Sequence, residues 1–262
     1  MRIPKGFFLP ALFFRIDFFP IITHIFQALY WPFVRVPLVV FGKLVIKGRE
    51  YIAQNNNGVI FAVNHLSQLD PFIVPATLNP FSSLMPMHYV SRERSYYDVR
   101  GIIRYAYGGL VFKIWGAYPA LVGIKDYEKM LPHHISLLLR GKSVCIFPEG
   151  KLNTGSQLAQ GKPGVAYLLW RTGRPVVPVA ISGHKRMGPS DFFARKHKIV
   201  VSYGKPISRE EIFGPDCAER QPSHKELIEA TAVIMSRIQE LLAPSGYEEA
   251  EVNQIPQANV VE

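Results

Sequence analysis

Apolar residues along this chain fall into short clusters separated by longer periodic stretches. The clusters "GVIFAVN" (58–64), "MHYVSR" (87–92), "SVCIFPEG" (143–150), "PVVPVAISG" (175–183) and "KIVVSYG" (198–204) are rich in β-branched residues and too short for helices. They predict strands, and the runs without polar alternation predict burial on both faces. "GAYPALVG" (116–123) adds a short extended segment. Between the clusters, helical patterns cover roughly 95–110, "KDYEKMLPHHISLLLRG" (125–141, interrupted at Pro132), "GVAYLLWRTG" (164–173) and "HKELIEATAVIMSRIQELLAP" (224–244). Gly141 and Gly173 stand where two of these patterns stop, and Asp70-Pro71 reads as an N-cap followed by proline at the first helical position. Strands alternating with helices predict an α/β fold, a mixed and mainly parallel sheet flanked by helices.

The front end obeys neither pattern. Residues 6–42 are crowded with Phe, Tyr and Trp, and no Asp, Glu, Lys or Arg occurs from Phe18 to Val34. That run is short of the roughly 20 apolar residues of a spanning helix, and Pro20 and Pro32 interrupt it. It predicts one or two helices lying in a membrane interface, with Arg2, Lys5, Arg15 and Arg35 facing anionic headgroups. A single spanning helix and a helix packed on the core are the alternatives. Three regions follow: a membrane-associated helical segment at 1–49, an α/β domain at 50–244, and a disordered acidic tail at 245–262.

Charge sharpens this division. The 262 residues carry a formal net charge of +10. Residues 140–209 hold 13 Lys or Arg against two acids, whereas 210–262 hold three against 11. A basic body points to anionic partners such as a phosphorylated substrate or acidic lipid. No nucleic-acid-binding motif is present, so nucleic acid is not expected as a partner. The two cysteines, Cys145 and Cys217, are far apart and form neither a metal-type spacing nor a disulfide framework. That usage fits a reducing compartment.

Two segments carry candidate chemistry. "VNHLSQLDPF" places His65 and Asp70 five positions apart at a predicted strand-to-helix corner. A carboxylate on one imidazole nitrogen fixes the tautomer and leaves the other nitrogen as a general base. A polar turn with Asp70 merely capping a helix has the same residues. "FPEGKLNTGSQLAQGKPGVAYLL" sets Glu149 after a buried strand, followed by a basic, glycine-rich loop. Backbone N–H groups, Lys151 and Lys162 there suit an anion, and Glu149 suits a sugar or glycerol hydroxyl.

In order, "NHLSQLDPF", "IFPEG", "QGKPGVAYLL" and "RPVVPVAISG" resemble the conserved blocks of the glycerolipid acyltransferase family, over about 57–205. The resemblance implies that His65 is the base and Asp70 its orienting partner, acting without a cofactor or metal. A deprotonated acceptor hydroxyl then attacks an acyl thioester, from acyl-CoA or an acyl-carrier protein. It implies an acceptor site shaped by Glu149 and Gly150, and an acyl or thioester side at Lys162, Gly164 and Pro178. It implies a lysophospholipid acceptor, lysophosphatidate above all, and action at the cytoplasmic face of a membrane. Two places depart from the family pattern. Val122 follows "GAYPAL" where the family often has arginine, and Lys151-Leu152-Asn153 follow Glu149-Gly150 where it commonly reads Thr-Arg-Ser. Lys151 and Lys125 are the candidates to replace those arginines, although lysine offers a point charge rather than a fork. An unphosphorylated lipid alcohol or glycolipid acceptor, a lipid-binding protein on the same fold, and a thioesterase are the competing readings.

Overall fold

The computed structural model describes residues 19–53, 57–92, 110–121, 126–155, 157–217 and 220–242. The acidic tail, nearly all of the helix expected at 95–110, and Lys125 lie outside the described residues.

A seven-stranded sheet forms the centre, ordered β1-β7-β6-β2-β5-β3-β4. Its strands are β1 (Val45–Lys47), β2 (Ile60–Val63), β3 (Met87–Ser91), β4 (Ala117–Pro119), β5 (Ser143–Ile146), β6 (Val176–Ser182) and β7 (Val200–Tyr203). All neighbours run parallel except β6 and β7. This is the mixed, mainly parallel α/β sheet that the clusters predict.

The unbroken apolar runs are explained by burial on both faces. Along β2, Ile60 and Ala62 join one core cluster, while Phe61 and Val63 join the other. The first cluster packs under α6 (Pro132–Leu139), α7 (Gly164–Thr172) and α10 (His224–Leu242), through Leu138, Leu168 and Ile234. The second packs under α3 (Asp70–Thr77) through Ile73 and Val74, with Met87 and Tyr203 beside them. Alternate side chains of one strand thus serve opposite helical layers, as the two-residue period of a strand requires.

Four features differ from the sequence reading. The helical pattern at 125–141 is two helices, α5 (Tyr127–Met130) and α6, because Pro132 takes the first position of a new helix. The short helices α2 (Glu50–Ala53), α4 (Leu110–Trp115), α8 (Pro189–Phe193) and α9 (Arg209–Phe213) are also present. Among the described residues of the front end a helix, α1 (Phe19–Val40), runs on through Pro32 and Pro37, although Pro32 is expected to interrupt it. Finally, the boundary drawn at 49/50 falls too late. Val45, Ile46 and Lys47 pair with Val200, Val201 and Ser202 of β7, so the sheet begins within the front segment. Three residues at the end of a long apolar run are too few to read as a strand.

α1 is built inside out. Gln27 donates to the carbonyls of Met87 and Trp115 (both 2.8 Å) and accepts from the Met87 N–H (2.9 Å). Trp31 Nε1 donates to the Leu78 carbonyl (2.9 Å), and Arg35 reaches the Ala76 carbonyl (3.3 Å). Thr23, Gln27, Trp31 and Arg35 are spaced by four, so they share one helical stripe. That stripe faces the protein, while Leu29 and Phe33 are 68% and 75% exposed. Among the described residues no helix is long and apolar enough to cross a membrane.

Candidate active site

The chain leaves β2 at Val63, and the next residue is locked. Asn64 Nδ2 donates to the Ile181 carbonyl (2.9 Å), and its Oδ1 accepts from the Ile181 N–H (2.7 Å). The side chain thereby mimics one more rung of the β2–β6 ladder and fixes the exit direction of the chain. His65 follows at the carboxyl end of β2, where open α/β sheets usually place their ligands.

His65 is held on three sides. Its Nδ1 lies 2.9 Å from Asp70 Oδ2, its ring stacks on Phe147 at 4.1 Å between centroids, and its N–H donates to Glu149 Oε1 at 2.9 Å. Its side chain is 18% exposed, so the ring edge meets solvent while its partner Asp70 is wholly buried. Asp70 does not cap α3: Leu69 occupies that position, and the carboxylate turns back to the preceding loop. Oδ2 accepts from the N–H groups of Leu66 (2.8 Å) and Ser67 (2.9 Å) as well as facing His65. The expected N-cap is therefore corrected. Backbone donors upstream and the imidazole outcompete the helix end for this carboxylate.

Burial by itself would push Asp70 up. Hydrogen bonds from His184 and His65 and from the Ser67 N–H overcome it, and the carboxyl is held below the usual carboxylate range. His184 is not legible in the sequence as part of this site. It follows β6 two residues on, and its Nε2 is 2.6 Å from Asp70 Oδ1. Nothing in its local pattern separates it from an ordinary loop histidine.

The second cluster surrounds the turn after β5. Glu149 is 2% exposed. One oxygen takes the His65 N–H, and the other takes Asn153 Nδ2 (2.6 Å) and the Ala159 N–H (3.0 Å). Both oxygens are thus spent on the protein, and Glu149 orders the loop rather than presenting itself to a hydroxyl. Asn153 also bonds through its N–H to the His65 carbonyl (2.7 Å), tying this loop to the β2 corner. Gly150 has φ +69°, a conformation that favours glycine, and the end of the Lys162 side chain lies over it, where a Cβ would be 2.8 Å from Lys162 Cε. Lys162 itself is anchored by its N–H to the Pro148 carbonyl (2.8 Å).

The structure therefore brings His65, Asp70, Glu149, Gly150 and Lys162 together, with exposed Lys151 on the same turn. It also delivers Arg92 from the end of β3, whose Nε donates to the Gly150 carbonyl (3.0 Å). Spacing along the chain gives no sign of that contact, because 58 residues separate the two. Gly164 and Pro178 are placed elsewhere. Gly164 begins α7 against Leu131 and Ile146. Pro178 is buried within β6, level with Ala62, and accepts from the Gly204 N–H (2.9 Å). Its missing N–H falls between the Val176–Ile207 bridge and the β6–β7 ladder that begins at Val179, where a strand tolerates proline.

The chain is similar in sequence to known proteins. The chain is 24% identical over 194 residues to the chloroplastic 1-acyl-sn-glycerol-3-phosphate acyltransferase of Arabidopsis thaliana, covering 70% of this chain and 48% of that one. It is 27% identical over 144 residues to the Brassica napus chloroplastic enzyme of the same name, covering 48% and 42%. It is 24% identical over 140 residues to the Borreliella burgdorferi 1-acyl-sn-glycerol-3-phosphate acyltransferase, covering 53% and 51%. The chain spans about half the length of these curated relatives. Among solved structures, the 1-acyl-sn-glycerophosphate acyltransferase PlsC of Thermotoga maritima aligns with a TM-score of 0.48 at 18% identity, over 85% of this chain and 99% of that one. A family model described as Acyltransferase matches residues 43–182, more than half of the chain and the whole span from β1 through β6 that carries the His65–Asp70 pair and the Glu149 turn: the chain belongs to the acyltransferase family.

Proposed function

We propose that this protein moves an acyl group from an acyl thioester, acyl-CoA or an acyl-carrier protein, to the free hydroxyl of lysophosphatidate, giving phosphatidate and a free thiol. The observation that carries the reading is the buried Asp70 carboxylate 2.9 Å from Nδ1 of a solvent-edged His65. With Nδ1 committed, Nε2 is the nitrogen that takes the acceptor proton. The hydroxyl oxygen attacks the thioester carbonyl carbon as its proton passes to Nε2. The tetrahedral intermediate collapses, the C–S bond breaks, and the thiolate leaves with the proton returned from the imidazolium. Asp70 stabilises that imidazolium and keeps its tautomer, a contribution of the scale expected of general acid–base catalysis.

The cations around the Glu149–Gly150 turn support a phosphorylated acceptor. Arg92 and Lys162 converge on Gly150, and Lys151 extends from the same turn. Arg92 supplies a guanidinium to this turn that the chain lacks at the usual positions, and guanidinium is the better partner for phosphate. The relatives named above share the same printed activity.

The outward face of α1 supports action at a membrane surface. Its polar stripe is consumed by the protein, which leaves Ile25, Leu29, Phe33 and Val36 outward, as in a helix lying in an interface. Cys145 and Cys217 are both free thiols, which fits the cytoplasmic, reducing side of that membrane.

Mass spectrometry of lipids formed from a mixed panel tests the acceptor: lysophosphatidate, glycerol 3-phosphate and unphosphorylated lipid alcohols, each with acyl-CoA and acyl-carrier protein. Phosphatidate as the dominant product supports the proposal. Esters of the unphosphorylated alcohols alone would replace it with acylation of a neutral lipid.

A further inference from the structure

Asp70 carries two histidines, and only one of them reaches the surface. His184 Nε2 approaches Asp70 Oδ1 at 2.6 Å, and both side chains are wholly buried. The other nitrogen, Nδ1, is buried without a hydrogen-bond partner. That orphan decides the protonation state. An imidazolium would place a charged N–H in the interior with no acceptor, at the full cost of desolvating it. A neutral ring with its proton on Nε2 leaves only a bare lone pair at Nδ1. His184 is then a neutral donor to Asp70, and the carboxylate keeps its whole charge for His65.

The backbone is shaped for this contact. Gly183 has φ +82°, and a Cβ there would lie 1.9 Å from the Lys198 carbonyl, so the turn after β6 needs glycine in order to swing His184 inward. Oδ2 of Asp70 already serves Leu66, Ser67 and His65. The His184 bond on Oδ1 adds the second point that stops the carboxylate rotating about its own axis. Resting on the reading of His65 as the general base, we propose that His184 is a positioning residue: it donates Nε2–H to Asp70, and so holds the carboxylate in line with His65 and ties the end of β6 to the start of α3.

The test compares His184→Gln with His184→Asn. A glutamine amide nitrogen sits near the place of Nε2, whereas an asparagine amide nitrogen sits near the place of Nδ1. The Gln variant should keep turnover close to wild type. The Asn variant should lose roughly 10–100-fold in kcat, the scale on which partners of a working histidine are felt. The acceptor KM should stay unchanged in both. In an Asp70→Asn background, His184→Asn should add much less than it does alone. Equal turnover in folded Gln and Asn variants, equal losses in both, or a change confined to KM would overturn the proposal. NMR of the wild-type protein with nitrogen-labelled histidine supplies a readout free of activity and of variant folding. A neutral Nε2–H tautomer at His184 supports the proposal, and an Nδ1–H tautomer or an imidazolium overturns it. Absence of acyl transfer by the wild type would instead overturn the reading of the site, with the NMR result still deciding the role of His184 as donor.

Discussion

Replacing Asp70 with Asn removes one charge and almost no volume. The carboxylate faces four donors: the Leu66 and Ser67 N–H groups and His65 Nδ1 on Oδ2, and His184 Nε2 on Oδ1. An amide has one oxygen and one NH2. With its oxygen at the Oδ2 place, three bonds survive as neutral ones, and the NH2 meets His184 head on. His184 must then move its proton to Nδ1, which has no partner. The opposite orientation sets the NH2 against three donors and is worse. Bonds to a charged acceptor contribute about 1.5–3 kcal/mol and neutral ones about 0.5–1.5, so three weakened bonds cost about 3 kcal/mol and the orphaned donor about 1–3 more. Relief from burying a charge offsets part of this, leaving a net loss of roughly 2–4 kcal/mol against a typical total of 5–15. The pH dependence has a definite sign. Asp70 is held below its ordinary 3.8, so its contribution is fully present above that value and is lost as pH falls through the lower folded value. Urea unfolding at neutral pH should show the deficit, and the two proteins should converge only in stronger acid. Turnover of the folded variant should fall by roughly 10²–10⁴-fold, because the imidazolium formed on His65 loses its counter-charge. A folded Asp70→Asn protein with wild-type stability, or with more than about a tenth of the turnover, would refute the reasoning.

Other outcomes follow from particular side chains. His134 is buried and lowered to about 4 from 6.5 by desolvation, so the unfolded chain binds a proton that the folded one refuses. Stability should therefore drop by about 3 kcal/mol between those two pH values, at 1.36 kcal/mol per unit, and the slope of a urea series against pH should flatten in His134→Leu; an unchanged slope would contradict the assignment. Phe33→Glu on the outward face of α1 should weaken vesicle flotation by roughly 10–100-fold, the worth of one buried aromatic side chain, without altering the melting temperature. Deleting residues 1–49 is a poorer test, since it also strips β1 from the sheet and the Gln27 and Trp31 bonds from the body. Lys151→Ala should raise the apparent constant for lysophosphatidate by about 10- to 150-fold if it contacts the phosphate with about 1.5–3 kcal/mol, and should leave an unphosphorylated acceptor nearly unchanged.

The sheet was legible because its central strands are apolar on both faces, and two helix ends because the periodicity stops at Gly141 and Gly173. The edge was not: β1 has three residues, and its pairing with β7 is a contact across more than 150 positions. The sequence of α1 shows an aromatic, proline-containing run, but its orientation depends on Gln27 and Trp31 meeting carbonyls on distant segments. The same holds at the site. His65 and Asp70 lie close enough in sequence to be paired by eye. His184 and Arg92 reach it only through the convergence of β6 and β3 on the β2–β5 corner, with Asp70 114 positions from His184. Glu149 illustrates the limit of residue type as a guide. A carboxylate after a buried strand suggests a ligand contact, and here its oxygens are satisfied internally.

Thiol release from acyl-CoA tests the central claim most directly, measured with and without lysophosphatidate for the wild type and for His65→Ala. The account predicts release that requires the acceptor and that falls by roughly 10²–10⁴-fold in the folded variant. Release independent of acceptor would mean that His65 activates water, and acceptor-dependent release undiminished in His65→Ala would mean that it is not the base.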